Sequence, residues 1–85
     1  MEKVDQQIIE SQLTFGEKAV GLTFNPSNDV NVQAIKEAYA HIIDALNGFR
    51  DIPHQSPEVV RMLSIAITEA QTSQMWAVKA ITWKY

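Results

Sequence analysis

The last third of the chain, Ser56 to Tyr85, constrains the fold most. Ser56 is a good N-cap, and Pro57 suits the first helical position, where its missing N–H costs nothing. Glu58 places negative charge at the positive end of the helix dipole. No Gly or Pro follows Pro57. The stretch predicts one long helix within 56–83, about 25 residues and roughly 37 Å in length at ~1.5 Å per residue. One apolar stripe runs Val60, Leu63, Ile67, Ala70, Ala77, Ile81, with polar Gln74 in the row. That spacing is the seam of a helix-on-helix contact. A second apolar set, Met62, Ile65, Trp76 and Trp83, lies off the seam. A single partner helix covers one stripe, so the second set needs another partner.

The obvious partner lies at residues 29–50. Its apolar row, Val32, Ile35, Tyr39, Ile42, Leu46, Phe49, keeps a 3-4-3-4-3 spacing. That is a coiled-coil-like seam, widened by Ile43 and by the alanines at 34, 38 and 45. Ser27, Asn28 and Asp29 are all candidate caps. Gly48 weakens the last turn, and Pro53 in DIPHQ stops continuation. So short a connection forces an antiparallel hairpin. Before it, residues 20–28 read as a loop in which Pro26 stiffens the Phe24–Asn25 approach. Residues 1–19 form an N-terminal arm with helical spacing of Val4, Ile8, Ile9, Leu13 and Phe15. Gly16 and Gly21 mark where that arm loosens or ends. The expectation is one all-α domain over 1–85, an antiparallel two-helix hairpin with a short helical arm. Two helices and an arm cannot enclose a normal core, which predicts a homo-oligomer with a partly intersubunit core. The arm is suited to cross onto a neighbour.

Composition narrows the function classes. With 85 residues and 46% apolar content, the chain is one small domain and is not disordered by composition. The absence of cysteine excludes disulfides and thiolate metal sites. A net charge of −3 argues against coating DNA or RNA, though not against a local basic pocket for one small anion. No run of ~18 apolar residues suggests a membrane span. MEKVDQQIIES is too polar for a signal peptide, so a soluble intracellular protein is expected.

Motifs for catalysis are lacking. His41 and His54 have no second ligand at metal spacing. Glu37, Asp44, Glu58 and Glu69 form no compelling pair, and there is no nucleophile elbow or phosphate-binding Gly-rich loop. No metal, cofactor or catalytic residue is expected. The residues that carry interest are fewer. Phe24 reads either as a stacking platform for a planar ligand or as a hydrophobic plug over the hairpin. Lys36 reads either as a point charge for a phosphate or as a surface lysine. Lys79 complements the dipole of the last helix. Gln71, Thr72, Met75 and Trp76 make a mixed surface, more often an oligomer interface than a ligand box.

FNPSNDVNVQAIKEAYAHIIDAL followed by SIAITEAQTSQMWAVKAI resembles the phage anti-CBASS sponge proteins, which are related to the helical-hairpin part of the Thoeris-antagonist sponges. The resemblance covers roughly residues 22–83. Its most specific parts are the aromatic-x-Pro step at Phe24 to Pro26, the Ile35-Lys36 pair, and the run from Gln71 to Ala80. It implies a non-enzymatic protein of the host cytoplasm that assembles as a hexamer built from interlocked dimers. It also implies sequestration of cyclic oligonucleotide messengers, cyclic dinucleotides such as cGAMP and in some members cyclic trinucleotides, so that CBASS effectors stay inactive. By the same resemblance, the base-stacking aromatic before a proline falls on Phe24, with Pro26, and the phosphate-contacting lysine falls on Lys36. A late basic residue tied to the trinucleotide pocket falls on Lys79. The rival reading is a helical-hairpin interaction module that binds a protein through its Trp/Met surface and takes no nucleotide. A phosphodiesterase is a third, with no metal or general-base cluster to serve it.

Overall fold

The computed structural model describes residues 12–85. Most of the expected N-terminal arm, residues 1–11, lies outside the described residues. Three helices follow in order: α1 (Phe15–Ala19), α2 (Val30–Arg50) and α3 (Pro57–Ile81). Among the described residues every regular element is helical, and α2 and α3 form the hairpin.

Each helix starts where its cap chemistry dictates. The Ser56 hydroxyl accepts from the Val59 amide at 3.2 Å, and Pro57 opens α3. Asp29 is the residue chosen among the three candidate caps of α2, and its carboxylate accepts from the amides of Asn31 (2.7 Å) and Val32 (3.4 Å). Thr14 and Glu17 form a reciprocal capping box at the start of α1. α3 stops at Ile81, two residues short of the expected end, and Thr82 caps it by turning its hydroxyl back to the Val78 carbonyl.

Gly16 requires a correction. It lies inside α1 instead of ending an arm. A Cβ built there would sit 2.1 Å from the Ala40 carbonyl oxygen, so only glycine lets α1 lie this close to α2. The Gly16 amide also donates to Asp44 at 2.6 Å, which joins the two helices by a charge-assisted bond. Gly21, with φ +62°, does terminate α1. The Leu22 amide reaches the Glu17 carbonyl and the Gly21 amide reaches that of Lys18, the paired bonds of a Schellman motif.

The buried face of α2 differs from the one its spacing suggests. The residues buried within the chain are Val32, Lys36, Ala40 and Ile43. Ile35, Tyr39 and Leu46 are half-buried, while Ile42 and Phe49 are exposed. After Val32 the covered stripe is thus offset by one residue, about 100° around the helix. The cause is α1, which sits over Ala40 and Asp44 and draws that side of α2 inward. On α3 the expected stripe holds: Ile67 and Gln74 are buried, and Val60, Leu63, Ala70, Ala77 and Ile81 are half-buried. Val20, Ala40, Ile43 and Ile67 make the core, flanked by Ala19, Leu22, Tyr39, Leu46 and Ala70. Polar bonds lock the hairpin register: Tyr39 with Ser73 at 2.5 Å, and Arg50 with Ser64 at 3.1 Å.

The result is a single layer of helices. Its Cα atoms span only 13 Å in the thinnest direction. Such a slab leaves apolar side chains uncovered, and Ile42, Phe49, Met62, Ile65, Met75, Trp76 and Trp83 are all exposed.

Candidate functional site

The loop between α1 and α2 is built by its own backbone and short polar side chains. The Phe24 amide donates to the Gly21 carbonyl at 2.9 Å, closing a tight turn. A second turn closes from the Asn28 amide to the Asn25 carbonyl, with Pro26 inside it and Asn28 at φ +53°. Asn28 is one of the few residue types that tolerates this left-handed conformation. Asn25 donates to the Asp29 carbonyl at 3.1 Å, and Ser27 donates to the Asn25 side-chain oxygen at 2.9 Å. The loop is thus held by side-chain bonds where regular structure supplies none.

Phe24 and Lys36 are both placed differently from the bland reading of each. Phe24 is 72% exposed, so it is not a plug over the hairpin. Lys36 is 6% exposed, so it is not a surface lysine. Its ammonium donates to the carbonyls of Gly21, at 3.0 Å, and Phe24. It also lies 5.6 Å from the Phe24 ring centroid, a cation–π distance. Burial pushes the Lys36 ammonium below the usual lysine value, because leaving water disfavours the charged form.

Phe24, Pro26 and Lys36 line one concavity of about 240 Å³. Asn25, Ser27 and Val32 complete its near wall, and Val78 and Thr82 of α3 form its far wall. Sequence reasoning missed that far wall. The antiparallel hairpin was the available signal, since it sets the C-terminal end of α3 beside the N-terminal end of α2. Lys79 lies apart. It lines a separate open cleft of about 410 Å³ with Trp76, Ala80 and Trp83. Its ammonium is 5.1 Å from the Trp76 ring centroid and 5.7 Å from that of Trp83. Of the mixed surface around Trp76, Gln71 turns inward and donates to the Ala19 carbonyl at 3.3 Å, while Thr72, Met75 and Trp76 stay exposed.

Among the described residues no group of three or more His, Cys, Asp or Glu side chains could hold a metal ion, and no helix is long and apolar enough to cross a membrane. What the site offers is a flat ring, a stiff loop and a cation.

Residues 17–82 match the family model for the hairpin domain of Acb2/Tad1. The chain belongs to this family of anti-CBASS and anti-Thoeris sponges. The match spans the loop and both long helices, hence every residue of the concavity. The family is a binding, non-catalytic one. Comparison with curated proteins and with solved structures gives no match.

Proposed function

We propose that the chain is a phage immune-evasion protein that binds and sequesters cyclic oligonucleotide messengers in the host cytoplasm, keeping CBASS effectors inactive. Cyclic dinucleotides such as cGAMP bind at Phe24, Pro26 and Lys36, and Lys79 serves a second, trinucleotide pocket. The observation that carries this reading is the shared concavity: an exposed aromatic ring and a lysine ammonium on one wall. A cyclic dinucleotide presents two flat bases and two phosphates. The ring stacks a base, worth about 1–3 kcal/mol. The ammonium meets a phosphate as a point charge.

The size of the concavity supports an assembly. About 240 Å³ falls below the ~300–1,000 Å³ common for ligand pockets. One protomer therefore holds part of a cyclic dinucleotide, and a two-fold related copy supplies the other half with a second Phe24 and Lys36. The uncovered apolar side chains of the slab supply contact area for such copies, and the family resemblance favours a hexamer built from dimers. A sponge acts by affinity without turnover, which asks nothing of the site beyond binding.

The test is calorimetric titration with a panel of cyclic di- and trinucleotides, then recovery of the ligand after heat denaturation. Tight binding with intact ligand recovered is expected. No binding to any member of the panel overturns the reading and favours a protein-binding hairpin acting through Met75 and Trp76. Cleaved ligand favours a phosphodiesterase. Light scattering is expected to show an oligomer, and a monodisperse monomer contradicts the shared site.

A further inference from the structure

We infer that Lys36 is a positioning residue as well as a ligand contact: its ammonium latches the Gly21–Phe24 turn in the free protein and so sets where the Phe24 ring stands. The ammonium has three donors. Two are spent on the chain itself, on the carbonyls of Gly21 and Phe24. The Gly21 oxygen is the common node, because it also accepts the Phe24 amide at 2.9 Å. The same cation lies 5.6 Å from the Phe24 ring centroid. Three independent contacts, two to carbonyls and one to a ring, thus converge from α2 on one turn of the loop.

The surroundings of the latch make it necessary. Phe24 is largely exposed, so packing does little to fix its ring. The α1 C-terminus hands the chain over at Gly21, a residue with φ +62° and wide backbone freedom. Beyond the turn, Asn25 and Ser27 bond to each other and to Asp29, whose carboxylate caps the start of α2. Leu22 packs the turn against the core, and Lys36 is the α2 side chain that hydrogen-bonds its carbonyls. Its burial, at 6% exposure, is compensated by the carbonyls it meets.

A consequence follows for the ligand, and this part rests on the proposed binding of cyclic dinucleotides. One donor of the ammonium remains for a phosphate. Phosphate recognition and ring placement then run through the same nitrogen, and the ligand finds the ring already in place instead of ordering the loop on arrival.

Amide hydrogen exchange on the full chain tests the latch without any ligand. In Lys36→Met, the Phe24 amide is expected to exchange at least about tenfold faster than in the unaltered protein, while the Ile43 amide in the core stays protected. Lys36→Arg, which keeps a cation with several donors, is expected to restore protection at Phe24 in large part. Unchanged Phe24 exchange in Lys36→Met overturns the inference. Should Lys36→Met lose protection at Ile43 as well, nitrogen-15 spectra of the unaltered protein decide. A slowly exchanging Lys36 ammonium with couplings to the Gly21 and Phe24 carbonyl carbons supports the latch, and a rapidly exchanging ammonium without them overturns it. Saturation with cGAMP is expected to keep or raise protection of the Phe24 amide, and a fall overturns the shared role of the nitrogen. If no cyclic di- or trinucleotide of the panel binds, the functional reading fails, yet the free-protein comparison still tests the latch.

Discussion

The chain carries two lysine–aromatic arrangements, and they differ in how the lysine is held. At Phe24 the cation is buried, bonded to two carbonyls, and faces a ring on a loop braced by its own side chains. At Trp76 and Trp83 the cation of Lys79 is exposed and meets two rings at 5.1 and 5.7 Å, with no hydrogen bond to it among the described residues. Similar distances therefore describe different objects. The first has its charge and ring set before a ligand arrives. The second is a cation on a solvated helix end, free to choose other partners. Preorganisation lowers the ordering cost of binding, which favours the first as the proposed dinucleotide site and leaves the second the more adaptable surface.

The largest effect expected is on what holds the first site together. Gly16 lets α1 lie against Ala40, and α1 delivers the chain to the latched turn. In Gly16→Val the new side chain collides with the Ala40 backbone, which cannot move away as a side chain would. The cost is about 3 kcal/mol, the upper part of the usual range for overpacking. In a melt this reads as a loss of about 12–24 °C. A melt within a few degrees of the unaltered protein would show that α1 is dispensable and that the first site is no more anchored than the second.

Next in size is the ring itself. Phe24→Ala removes a stack worth about 1–3 kcal/mol and is expected to weaken a cyclic dinucleotide about 5- to 150-fold by calorimetry. Provided the assembly stays intact, Trp76→Ala is expected to leave that affinity unchanged, since Trp76 lines the other cleft. Equal losses in the two variants would merge the sites. The oligomeric state should be followed in both, because Trp76 belongs to the uncovered apolar surface of the slab.

How far the sequence disclosed these two regions depends on which forces were local. Ser56, Pro57 and Asp29 act on the turn next to them, so the starts of α2 and α3 could be read directly. The stripe on α3 was also legible, because its main neighbour among the described residues, α2, lies along a single face. The stripe on α2 was not, since α1 covers a second side and shifts the buried row from Ile35, Tyr39 and Ile42 to Lys36, Ala40 and Ile43. Gly16 misled for the same reason: glycine signals a chain end locally and a close approach tertiarily, and here the tertiary contact won. At the site, Phe24 and Lys36 were legible as residue types, but their exposures came out opposite to the bland reading of each, an exposed ring and a buried cation. Val78 and Thr82 reach the site only through the hairpin, some fifty residues along the chain, where local pattern carries no information.

The smallest effect expected is the sharpest test of the comparison. Lys79→Gln removes a cation–π contact at an exposed helix end, worth about 0.5–1 kcal/mol, and shifts the melt by only about 2–8 °C. Removing Lys36 leaves the Gly21 and Phe24 carbonyls without their charged donor, and hydrogen bonds to charged groups are worth about 1.5–3 kcal/mol each. Part of that loss is offset, because the variant no longer buries a charge. Lys36→Met should still be the more damaging of the pair, and its damage should concentrate at the Gly21–Phe24 turn. Lys79→Gln should leave amide exchange in that turn untouched and alter only the fluorescence of the neighbouring tryptophans. If Lys79→Gln instead destabilises the fold as much as Lys36→Met does, its ammonium is held by something other than the two rings, and the contrast between an anchored and a free cation fails.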